Sequence, residues 1–124
     1  MISKLEITSI HMEIDDNLRN YVTKKIGQCD RFLPRRIRPS LHAEITLREE
    51  KIKERKICVC EVVMYLPHEV ISITESTINM YAAIDIVESK LTNQLRKYKD
   101  MHTSPKFYRR VMSRLKRNSS NSAV

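Results

Sequence analysis

Leu41-His42-Ala43-Glu44-Ile45-Thr46-Leu47 alternates apolar and polar residues without a break. A period of two belongs to a strand with one face buried and the other in water. The stretch from Arg48 to Lys56 is almost all charge and reads as a solvated hairpin connection. Ile57 to Leu66, rich in β-branched residues, reads as the next strand. Pro67-His68 makes a turn, and Val70 to Glu75 is a further strand. Three consecutive strands with short connections form an antiparallel meander.

The flanks of this meander complete the fold. Ser3 to Ser9 reads as a first strand, with Leu5 and Ile7 on one side and Lys4, Glu6 and Thr8 on the other. Asp15 and Asp16 put acid where a helix begins. Leu18, Val22, Ile26 and Cys29 follow at steps of four and three, an amphipathic helix from about Asp16 to Phe32. Pro34 and Pro39 bracket a basic connection holding Arg35, Arg36 and Arg38. A second helix is expected from about Ile78 to Lys99, with Met80, Ile84, Val87, Leu91, Leu95 and Tyr98 as its apolar stripe. The order strand, helix, three strands, helix gives an α+β domain. It is a two-layer βαβββα sandwich, with a four-stranded sheet and two helices on one face.

Residues 1–100 are expected to form this domain, and residues 101–124 a basic, largely disordered tail. Charge separates the two. The domain carries 17 Lys+Arg against 15 Asp+Glu, whereas the tail carries 6 Lys+Arg and no acid. Most of the formal +8 therefore sits in the last fifth of the chain. A basic tail on a nearly neutral domain points to a polyanionic partner, nucleic acid or an anionic membrane. Phe107, Val111 and Leu115 fall at helical spacing, but among so many charges such a short helix is not stable alone.

Composition also excludes. The single glycine, Gly27, rules out glycine-rich phosphate loops. No apolar run approaches a membrane span, and the N-terminus lacks a signal peptide's apolar core. A cytoplasmic protein with reduced thiols is expected. The histidines His11, His42, His68 and His102 lie in different elements, so no catalytic set emerges and no enzyme is expected. Cys58 and Cys60 lack the second ligand pair of a zinc site, and no metal or other cofactor is expected. Basic residues cluster instead at Arg31 to Arg38, at Lys90 to Lys99 and in the tail. With both helices on one face, the first two clusters share a side, a pattern suited to phosphate contacts.

Asn79-Met80-Tyr81-Ala82-Ala83-Ile84-Asp85 resembles the Asp-Met-Tyr-Ala-Ala-Ile-Asp signature that opens the last helix of the ribosome hibernation factors. These are the short hibernation-promoting factor and ribosome-associated inhibitor proteins, also described as sigma-factor modulators. Leu18-Arg19-Asn20-Tyr21-Val22-Thr23-Lys24-Lys25-Ile26 is similar to the family's first-helix Leu-Arg-x-Tyr-Val-x-Lys-Lys-Leu. Lys90-Leu91, Gln94-Leu95 and Lys97-Tyr98-Lys99 resemble its basic ending. The resemblance implies a partner, the small ribosomal subunit and its rRNA. It implies binding in the channel used by mRNA and by A- and P-site tRNA, with translation blocked in idle ribosomes.

By motif match the rRNA contacts become Arg19, Lys24, Lys25 and Arg31 in the first helix, and Lys90, Lys97 and Lys99 in the second. Arg96 is this chain's own addition. The tail adds Arg109, Arg110 and Arg114 on charge alone. A small-molecule substrate and a membrane are not expected, and off the ribosome the chain is expected to be a monomer. The alternative is a non-ribosomal RNA-binding or transcription-modulating module on the same fold.

Overall fold

The computed structural model describes residues 1–103. In chain order it contains β1 (Lys4–Ile10), α1 (Asp16–Gly27), β2 (His42–Ile52), β3 (Arg55–Leu66), β4 (Glu69–Thr77) and α2 (Met80–Thr103). Two short 3₁₀ segments, Gln28–Phe32 and Arg35–Ser40, link α1 to β2. The sheet order is β1-β2-β3-β4. β2, β3 and β4 form the antiparallel meander, and β1 pairs with β2 in parallel. Parallel neighbours need a crossover, which α1 and the 3₁₀ segments supply.

Register decides the two faces. Leu5, Ala43, Met64 and Ile71 are successive partners across the four strands, as are Ile7, Ile45, Val62 and Ile73. Against this face pack Leu18, Val22 and Ile26 of α1 and Met80, Ala83, Ile84, Val87, Leu91, Leu95 and Tyr98 of α2, in one core. Both helices thus lie on one face, and the fold is the α+β sandwich expected. The other face carries the row Glu6, Glu44, Val63, Ser72 and, among the described residues, no helix.

Side-chain caps start both helices. Asp15 Oδ1 accepts from the Leu18 amide at 2.7 Å. Asn79 Oδ1 accepts from the Tyr81 amide at 2.8 Å. Each satisfies a donor that the helix leaves unpaired.

Most boundaries shift by a residue or two from the sequence reading, and three differ by more. The charged stretch Arg48 to Lys56 is not a loop: β2 runs to Ile52 and β3 starts at Arg55, leaving Lys53-Glu54 as the turn. Ion pairs make this charged ladder tolerable. Arg48 meets Glu50 at 2.7 Å and Glu61 at 3.8 Å, and Lys56 meets Glu49 at 3.0 Å. The first helix stops at Gly27 rather than Phe32, where the Gly27 carbonyl accepts from the Ile2 amide at 2.9 Å. The chain then tightens into 3₁₀ turns. The second helix continues through Met101 to Thr103.

Candidate nucleic-acid interface

α1 and α2 meet along a polar seam above the core. Tyr21 on α1 donates a hydrogen bond from its hydroxyl to Asp85 on α2. Lys25 reaches Asp85 at 3.6 Å and Glu88 at 3.4 Å. The Tyr21 and Tyr81 rings meet edge to face, with centroids 4.9 Å apart. Glu88 holds the Lys25 ammonium above its ordinary pKa, so this lysine stays charged well past neutral pH. The bond to Asp85 raises the Tyr21 phenol in turn.

Beyond the seam lies a groove of about 340 Å³, lined by Tyr21, Lys24, Lys25, Gln28, Cys29, Arg31, Phe32, Glu88 and Thr92. Phe32 is its aromatic element beside Tyr21. The guanidinium carbons of Arg31 and Arg96 each lie 5.0 Å from the centroid of its ring. Such cation–π contacts stabilise by about 0.5–1 kcal/mol at exposed sites. They gather two positive charges from different helical segments at one place. Further along, Arg35, Arg36 and Lys99 surround a hollow with Pro34. Arg38 faces inward instead. It donates to the carbonyls of Leu33 at 3.1 Å and Arg31 at 3.4 Å, and so fastens the connection.

The structure therefore splits the predicted set. Lys24, Lys25 and Arg31 line the groove and Arg96 packs on its Phe32, while Lys99 borders a separate hollow with Arg35 and Arg36. Lys90 stands elsewhere, paired with Glu75 of β4. Lys97 follows Lys90 by seven residues, close to two helical turns, and shares that outer flank. Arg19 is exposed and sits six residues before Lys25, a net rotation of roughly 120° around α1, on another flank. Arg109, Arg110 and Arg114 lie outside the described residues. Phe32, Arg35 and Arg36 are missing from the predicted contacts. Their signal was the basic connection between Pro34 and Pro39, whose fold into a 3₁₀ turn brings it to the end of α2.

The cysteines offer no chemistry at this face. Cys29, Cys58 and Cys60 are buried free thiols. Burial pushes Cys29 up to about 11 and Cys60 up to about 12, so both are protonated and inert at neutral pH. Among the described residues one group can present metal donors together, Glu6, His42 and Glu44, on the opposite face of the sheet. No helix among the described residues is long and apolar enough to cross a membrane.

Residues 5–103 match the family described as Sigma 54 modulation protein / S30EA ribosomal protein. A ribosome hibernation promotion factor of Staphylococcus aureus is 31% identical over 96 residues, covering 77% of this chain and 48% of the relative. The chain thus spans about half the length of this curated relative. Solved structures are similar as well. The N-terminal domain of Thermus thermophilus Protein Y superposes with a TM-score of 0.63 at 26% identity, covering 75% of this chain and 94% of that one. A ribosomal subunit interface protein of Coxiella burnetii gives 0.62 at 25% identity, covering 77% and 97%.

Proposed function

Since the chain belongs to the Sigma 54 modulation protein / S30EA ribosomal protein family, we propose that it is a ribosome-associated hibernation factor. It binds small-subunit rRNA in the channel of mRNA and of A- and P-site tRNA, and holds idle ribosomes out of translation. No catalytic step is involved, and the partner places the protein in the cytoplasm. The observation that carries this reading is the groove between the helices lined by Lys24, Lys25 and Arg31, with Arg96 held against its Phe32. Four cations from three segments gather there.

Phosphate recognition follows from that geometry. Each phosphate neutralised releases condensed counterions, which is the main source of affinity for a polyanion. Guanidinium groups add bidentate hydrogen bonds. The contacts of Arg31 and Arg96 with Phe32 hold their charges in place before the partner arrives, so less ordering entropy is lost on docking. Asp85 and Glu88 temper Lys25 in the free protein, and a phosphate competes with them for it.

Sucrose-gradient sedimentation of ribosomes with and without the full chain tests the proposal. The protein is expected in the small-subunit and intact-ribosome fractions, with in-vitro translation falling as it is added. Comigration with free structured RNA, without preference for ribosomes, would overturn it in favour of a general RNA-binding module.

A further inference from the structure

The face of the sheet opposite α1 and α2 brings three potential metal donors together. Glu6 of β1 and Glu44 of β2 are register partners, so their side chains leave the same face side by side. Two like charges placed directly opposite each other in a sheet are destabilising. His42 lies two residues before Glu44 on that face, with Nε2 3.7 Å from Glu6 Oε1 and 3.9 Å from Glu44 Oε1. These distances exceed a hydrogen bond. One donor atom from each residue lies within 4.8 Å of the others.

We propose that Glu6, His42 and Glu44 form a binding site for a divalent transition-metal ion. Bonds from zinc to imidazole nitrogen and carboxylate oxygen are about 2.0–2.2 Å. The three donors must therefore draw together by about 1 Å, a movement within reach of the exposed glutamate side chains while the ladder fixes their backbones. One nitrogen and two oxygens suit ions of the zinc, cobalt and nickel class, and imidazole disfavours magnesium and calcium. Water completes the coordination. A supporting layer is already in place. Tyr65, the cross-strand partner of His42, stacks on its ring with centroids 5.4 Å apart. The Tyr65 hydroxyl also donates to Glu44 Oε2 at 3.4 Å. Such partners orient ligands. Lys4, the neighbour of His42 on β1, is the competing cation on this face. Because the site is turned away from the helices, it is independent of the rRNA reading.

The test is calorimetric titration of the full chain with Zn2+ in a non-chelating buffer, alongside Co2+ titration followed by NMR. One ion per chain is expected, with affinity falling at least about tenfold in Glu6→Gln, His42→Asn and Glu44→Gln. His102→Asn, which alters the imidazole 3.9 Å from Glu69, is expected to leave it unchanged. On the unsubstituted protein, Co2+ broadens the signals of Glu6, His42, Glu44 and Tyr65 first. Affinity indifferent to the three substitutions, no saturable binding, or broadening centred on His11, His68 or His102 would each overturn the site.

Discussion

The phenol of Tyr21 on α1 donates to Oδ1 of Asp85 on α2, across 64 residues of sequence. Tyr21 belongs to the first-helix motif and Asp85 closes the Asn79–Asp85 motif. The two stretches that most resemble the hibernation factors therefore touch at this bond. The same carboxylate oxygen lies 3.6 Å from Lys25, so one acid meets both the Tyr21 hydroxyl and a groove cation.

Tyr21→Phe keeps the ring beside Tyr81 and removes the donor. It is expected to cost about 0.5–1.5 kcal/mol, at the low end because the pair is open to water. The phenol's pKa in the folded chain lies above its ordinary value near 10, because the bond to Asp85 favours the neutral form. Its contribution is therefore complete below pH 10 and is lost as the pH climbs through the folded value. Urea unfolding between pH 8 and 11 checks this, and the alkaline decline is expected to be shallower in Tyr21→Phe.

A second prediction concerns the β2–β3 turn. Lys53 and Glu54 have φ of 52° and 66°, the left-handed region. Positive φ at both central residues is the geometry of a type I′ turn, whose favoured residues are Asn-Gly. Lys53→Asn with Glu54→Gly is expected to stabilise the chain by roughly 1 kcal/mol. Thermal unfolding measures it, and an unchanged midpoint would show that the turn carries no such cost.

That turn explains where the sequence was legible and where it was not. Alternation along Leu41 to Leu47 foretold the inward residues correctly, and Leu41, Ala43, Ile45 and Leu47 are all 0% exposed. The stripe of α2 was equally plain, since a 3.6-residue period admits one buried face. A Lys-Glu pair amid charges gives no turn signal, so the last rungs of the β2–β3 ladder stayed hidden. The groove was half visible. Sequence clusters Lys90 with Arg96, but helical rotation and Glu75 draw Lys90 to another flank. Glu6 and Glu44 could not be paired on paper at all, because parallel register depends on the length of the whole crossover.

The tail, residues 105–117, is expected to add a second, sequence-blind rRNA contact. Its six basic residues, Lys106, Arg109, Arg110, Arg114, Lys116 and Arg117, have no acid among them. Each phosphate neutralised on a single-stranded segment adds about 0.7 to the log–log salt slope. Affinity for small subunits, measured against salt for the full chain and for a chain ending at Thr103, is expected to differ in slope by ~4 at most. Equal slopes would remove the tail from the interface.

The most direct test of the central claim compares two charge-reversed sets for cosedimentation with small ribosomal subunits. One set places Glu at Lys24, Lys25 and Arg31, which line the groove, and at Arg96, which packs on its Phe32. The other places Glu at Lys90 and Lys97 on the outer flank of α2. Exposed charges contribute about 0–1 kcal/mol each to stability, but Lys25 is half-buried between Asp85 and Glu88, so circular dichroism checks first that each variant is folded. The groove set is expected to abolish cosedimentation and the flank set to weaken it only modestly. A folded groove variant that pellets with small subunits as well as the unaltered chain would contradict the account.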